Sequence, residues 1–229
     1  MHTRRDVPTT ANTVRRLFLL SVPLLVSACG AGLEEPAAEQ DAAQQTQAAR
    51  VCTTFSRGLG WTVEDTTIVS TSPDSNFGWT PLLGVEHVSV PPLVDTRQHT
   101  LLRFDLGTIP ANSTLHSATL HLFAVAQPRT VAVRGATAPW TENTVTWNSF
   151  NGAYDAAATT QISGGVVLSA RSVEVSPLVD AWIARRRPNH GFVLTTTREV
   201  LSVPTHFYGS ELEYPFSQQP ALEVCYTTP

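Results

Sequence analysis

The sequence has no lysine: all 15 basic side chains among its 229 residues are arginine. Nucleotide composition explains that as readily as function does, so the absence excludes nothing by itself. Other absences carry more. There is no G-x-S-x-G nucleophile elbow, no glycine-rich phosphate loop and no HExxH or comparable zinc pattern. The signatures of the common serine hydrolases, nucleotide-binding enzymes and zinc proteases are therefore missing. His87, His99, His116, His121, His190 and His206 are scattered, and His116 and His121 are an odd number apart on one strand, so they face opposite sides. No apolar run reaches membrane-spanning length: Leu17 to Val26 is too short to cross and the right size for a signal core. The net charge of −4 argues against nucleic-acid binding. From residue 51 on, ten arginines face fourteen acidic residues, again a net of about −4. What is abundant is Thr, Ser, Val, Pro and Gly, with a 42% hydrophobic share. That mixture excludes wholesale disorder and favours an all-β fold.

Residues 1–28 read as a secretion signal, with Arg4, Arg5, Arg15 and Arg16 as its basic region. Val26-Ser27-Ala28-Cys29 resembles a bacterial lipobox, which implies cleavage before Cys29 and lipidation of its thiol. Arg15-Arg16-Leu17-Phe18-Leu19 also resembles a twin-arginine signal, with Val14 departing from the usual polar residue. The plainer reading is an ordinary signal peptide with a coincidental cysteine. Residues 29–50, rich in Ala, Gln and Glu without hydrophobic period, read as a flexible tether. The expected localisation is extracellular or at the cell surface, lipid-anchored to a bacterial membrane.

Residues 51–229 form the expected folded domain. Its centre is His99 to Val125. There Leu102, Phe104 and Leu106 fall on one face of a strand, with Leu101, Arg103 and Asp105 on the other. Apolar residues on both faces place this strand inside a two-sheet sandwich. Arg103 and Asp105, two apart on one face, are expected to neutralise each other. Further strands are expected at 62–71, 82–90, 130–135, 171–175, 191–197, 204–208 and 221–227, with a long surface loop at 151–165. Pro177, the stripe Leu178, Val179, Trp182 and Ile183, and the stop at Pro188 mark one short helix, capped by Ser176 with Asp180 in its first turn. The fold class is a jelly-roll-like β-sandwich with one short helix. Cys52 and Cys225, at the two ends of an exported domain, are expected to form a disulfide.

Several blocks carry a family resemblance: Asp65-Thr66-Thr67-Ile68, Pro73 to Gly78, Leu101 to Leu106, Ile109 to Asn112, Trp140-Thr141-Glu142, Val145 to Asn148, Val173 to Ser176 with Trp182, Gly191 to Leu194, and Phe207 to Glu211. In that order they resemble the DNRLRE-type domain, also grouped as carbohydrate-binding module family 96. The resemblance spans roughly residues 62 to 226. It implies a jelly-roll module that binds polysaccharides without catalysis, acidic ones being the usual suggestion. The rival expectations are a structural or adhesive surface protein and a polysaccharide-active enzyme, the last drawing on carboxylates such as Glu86, Asp95 and Glu142.

Sugar recognition needs flat aromatic faces and planar polar groups, with arginine suited to carboxylates and sulfates. Trp79, Tyr154 and Tyr214 lie in loops and are the candidate stacking residues. Arg129 and Arg134 beside a strand, and the run Arg185, Arg186, Arg187, are the candidate anion contacts. The plainer reading of the run is electrostatics at a helix end. Trp140, Trp147 and Trp182 read as core, while Trp61 fits either role. Asp65, Asp74 and Asn76 could supply oxygens to a structural calcium, although Asp74 and Asn76 equally suit an ordinary turn.

Overall fold

The structure, a computed structural model, describes residues 49–126, 129–197 and 204–229. The signal segment, Cys29 and nearly all of the tether lie outside the described residues. Those described belong to one unit, Thr46–Pro229.

Among the described residues eleven strands form: β1 (Arg50–Phe55), β2 (Val63–Val69), β3 (Leu82–Val90), β4 (Val94–Phe104), β5 (Thr114–Ala126), β6 (Val131–Gly135), β7 (Thr160–Ile162), β8 (Ser169–Glu174), β9 (Phe192–Thr196), β10 (Thr205–Tyr208) and β11 (Ala221–Thr227). All pair antiparallel. In one layer, β1 pairs β11, β11 pairs β5, and β8 and β10 also pair β5. In the other, β2 and β9 pair β4, β9 pairs β6, and β6 pairs β7. Strand β3 belongs to both: Leu82–Val85 pair with β10, and Glu86–Val90 with β4. The fold is an all-β sandwich, joined along one side by that shared strand.

Period-two patterning explains the core. Leu120, Leu122 and Ala124 of β5 and Leu222 and Val224 of β11 meet Leu102, Phe104, Phe192, Leu194, Val131 and Val133 of the facing sheet. The alternate residues of that facing sheet are also apolar, and they too are covered. Ile68, Leu101 and Val193 point outward and pack under Trp140, Val145 and Phe150. The segment carrying those three side chains turns on α1 (Trp147–Phe150), where Thr146 and Ser149 form a reciprocal capping box. The β4 pattern therefore buries two faces for two reasons, one against a sheet and one against a loop.

The helix α2 (Ser176–Ile183) buries Leu178, Val179, Trp182 and Ile183, as its stripe predicts. Its cap differs from expectation. Val175 is the N-cap, and the Ser176 hydroxyl accepts the Ala118 N–H at 2.8 Å, so Ser176 ties the helix to β5. Asp180 falls beyond the first turn. The expected loop at 151–165 contains β7, which adds to the β6 edge. Arg103 does not pair with Asp105. It pairs with Glu64, its register partner on β2, while Asp105 accepts the Gly107 N–H at 2.8 Å in the turn after β4. Direct cross-strand opposition beats same-strand spacing of two.

Cys52 and Cys225 are opposite each other in the β1–β11 register and are disulfide-bonded. They join the first and last strands as expected. Trp140 and Trp182 are buried and Trp147 is partly buried, also as expected; Trp61 packs on Phe55 with ring centroids 4.8 Å apart.

Candidate functional site

Among the described residues, no loop covers the outer face of the β1–β11–β5–β8 layer as one covers the opposite sheet. Alternation turns Thr54, Glu223, Ala221, His121, Phe123 and Ala170 outward while Leu222, Leu120 and Leu122 enter the core. A groove of about 450 Å³ runs across this face. Leu59 and Phe216 stand along it, 65% and 56% exposed, and His121 and Glu223 supply polar groups. Phe123 is stacked on Tyr208, with ring centroids 5.7 Å apart and planes 24° from parallel. The His121 ring shares a 2.8 Å hydrogen bond with the Ser172 hydroxyl, and an Arg171 N–H donates to the Val166 carbonyl at 2.8 Å. The first of these bonds holds the His121 imidazole beside apolar surface, the combination a sugar ring needs.

A second groove, about 500 Å³, lies by Arg103, Asp105, Trp182, Arg185 and Asn189. It has less to offer a sugar. Trp182 is buried and set edge-on to Phe192, the Asn189 amide donates to the Phe104 carbonyl, and Arg103 is held by Glu64.

None of the eight residues singled out for sugar binding lines the first groove. Trp79 and Tyr214 are 73% and 81% exposed, as expected for stacking residues, and Tyr214 lies two positions from Phe216. Tyr154 is instead packed inward, bridging to Ala136, with its ring 5.4 Å from that of His99 and Arg134 above it. Arg134 donates to Thr195 and to the Asp155 and Ala156 carbonyls, which makes it a clamp on the loop. Arg129 is exposed just ahead of β6. The run at 185–187 is dispersed: Arg186 pairs with Asp180, Arg187 with Asp155 at 2.8 Å, and Arg185, with φ at 55°, lines the second groove. The helix ends at Ile183, so the three side chains leave it in different directions. Phe123 and Phe216 were missed because phenylalanine, on a strand or in a short turn, reads as core.

A separate cluster is partly buried, with Asp65 fully enclosed. The Asp65, Glu142 and Glu211 carboxylates each bring one oxygen within 4.8 Å of the others. Arg57 sits among them, donating to Glu142 Oε1 at 2.8 Å and to Glu211 Oε1. Glu142 Oε1 also accepts the Asp65 N–H at 2.9 Å, and Asp65 Oδ2 accepts the Ser210 N–H at 2.9 Å. Burial raises the Asp65 carboxyl well above the usual range, and the nearby Glu211 charge pushes the same way. Burial also raises Glu142, against the Asp65 N–H and Arg57, which lower it. Burial works to lower Arg57, but Glu211 and then Glu142 outweigh it and the guanidinium is raised. Of the three expected calcium ligands, Asp65 alone belongs to this cluster. Asp74 accepts from Asn148 at 2.8 Å, and the Asn76 amide donates to the Glu142 and Val145 carbonyls at 2.7 and 2.8 Å. Asn76 thus holds the loop that presents Glu142.

No curated protein matches the sequence with significance. The family pattern of carbohydrate-binding module family 96 matches residues 61–223, from Trp61 ahead of β2 to Glu223 within β11. That match covers most of the chain and every strand but β1 and the end of β11, and the chain belongs to carbohydrate-binding module family 96.

Proposed function

We propose that the protein binds polysaccharide without catalysis, through the outer face of β1, β11, β5 and β8. The observation that carries this reading is the open groove of about 450 Å³, walled by Phe216, Leu59 and Phe123, in a chain of a carbohydrate-binding family. Apolar walls stack on the carbon faces of sugar rings, and His121 and Glu223 hydrogen-bond the hydroxyls. On this face an acidic glycan meets the negative charge of Glu223. Binding therefore rests on stacking and depends little on salt.

We propose further that the protein is exported and anchored through a lipid on Cys29. The sequence before Cys29 supports this, and the Cys52–Cys225 disulfide fits an oxidising compartment. Replacing Cys29 by Ser should move the protein from the membrane fraction to the soluble one.

The test of binding is affinity electrophoresis through gels holding neutral or acidic polysaccharides. Retardation is expected with one glycan class, lost in Phe216→Ala and Phe123→Ala variants that still unfold cooperatively. Uniform mobility across the panel would sink the reading and favour a structural or adhesive role. Release of reducing ends or unsaturated products from a retained glycan would overturn the non-catalytic part.

A further inference from the structure

We propose that Asp65, Glu142 and Glu211, together with the Thr80 carbonyl, form a binding site for calcium. Three observations carry it. Asp65 is fully buried, and its Oδ1 has no hydrogen-bond partner; Glu211 Oε2 is also buried and unpartnered. Buried carboxylate oxygens without donors are costly, and a cation is what they lack.

The oxygens also converge. A Cβ placed on Gly209 would lie 3.2 Å from Asp65 Oδ1, 3.3 Å from Glu211 Oε2 and 3.3 Å from the Thr80 carbonyl oxygen. Glycine at 209 leaves that point open, where any other side chain would fill it. Arg57 occupies Oε1 of both glutamates, so it braces them without closing Glu211 Oε2.

Charge completes the argument. When all three carboxylates are ionised, they and the one guanidinium of Arg57 leave two negative charges, which one divalent cation neutralises. All the ligand atoms are oxygens, with neither sulfur nor imidazole, and they come from β2, the turn before β3, the segment ahead of α1 and the loop after β10. Hard oxygen donors at irregular positions suit calcium rather than zinc, and rather than magnesium with its demand for octahedral regularity. The ion would fasten four remote segments.

The test is calorimetric titration of chelator-stripped full-length protein with calcium chloride, alongside thermal unfolding with and without calcium. One equivalent should bind, and the melting temperature should rise by about 5–10 °C at calcium near a hundred times Kd. Glu211→Gln should weaken binding by about tenfold or more. Gly209→Ala keeps every charge but occupies the convergence point. It should lose calcium binding while its calcium-free melting temperature stays close to that of the stripped wild type. No binding by the stripped wild type would overturn the site. So would undiminished affinity in both variants, or an equal response to magnesium.

Discussion

His99 should make the fold sensitive to mild acid. Its ring lies in β4 under the 136–154 segment, with centroids 5.0 Å from Trp147 and 5.4 Å from Tyr154, and its buried Nδ1 has no partner. Burial, and then the positive charges of Arg97, His87 and Arg134, lower its pKa from 6.5 to about 4. In the unfolded chain the imidazole returns to about 6.5. Between those values the unfolded state takes up a proton that the folded state refuses. The contribution of neutral His99 is therefore complete above about pH 6.5 and is lost as pH falls toward 4. At about pH 4.5 the loss is about 2.5 kcal/mol, close to two pKa units at about 1.4 kcal/mol each. Asp65 and Glu142, whose pKa values are raised, act in the opposite direction, so wild type alone does not isolate the effect. His99→Phe does, because it keeps the aromatic packing and removes the titration. Urea unfolding of both proteins, followed by tryptophan fluorescence at about pH 7.5 and 4.5, should show the variant gaining about 2.5 kcal/mol on wild type at the lower pH. Equal losses in the two proteins would refute the reasoning.

Replacing both Cys52 and Cys225 with Ala should cost up to about 5 kcal/mol in urea unfolding, from loop closure over their separation of 173 residues; a loss below about 1 kcal/mol would show that β1–β11 pairing alone holds the ends. Gly191→Ala should destabilise far more than Gly152→Ala. Both glycines have positive φ, but a Cβ at 191 would lie 2.4 Å from the Leu102 carbonyl oxygen, whereas at 152 nothing stands within 4 Å. Comparable melting temperatures for the two variants would contradict that close approach. Leu102→Ala, in the core between the layers, should lose roughly 2–5 kcal/mol, and Arg103→Ala, whose partly exposed pair with Glu64 counts for less, about 1 kcal/mol. Denaturant titration ranks the two, and a reversed order would mean that this bridge does more than its exposure suggests.

Strands and core were legible because burial leaves a local signature. The alternation Leu102, Phe104 against Leu101, Arg103 is visible in the sequence, and the structure keeps it. Helix α2 shows its stripe in the same way, and its cap was misread because Ser176 bonds to β5, a strand remote in sequence. The candidate groove was much less legible. Tyr214 and Trp79 were recognisable as exposed loop aromatics, but Phe123 and Phe216 reach the sheet face through strand register and a short turn near residue 216. The arginine run shows the converse. Three adjacent charges look like a patch until a helix end sends two of them to separate partners, Asp180 and Asp155.

By itself, the sequence determined the all-β class, the positions of the main strands, the disulfide pair and the family, since each depends on local period, residue type or the order of short blocks. The tertiary structure alone decided what meets at a point. Asp65, Glu142 and Glu211 are separated by 77 and 69 positions, and no spacing rule relates them. Antiparallel pairing and the loops it carries bring them within 4.8 Å around Arg57. Their charge and solvation follow from that meeting, because a carboxylate's environment is set by whatever the fold packs around it rather than by its neighbours along the chain.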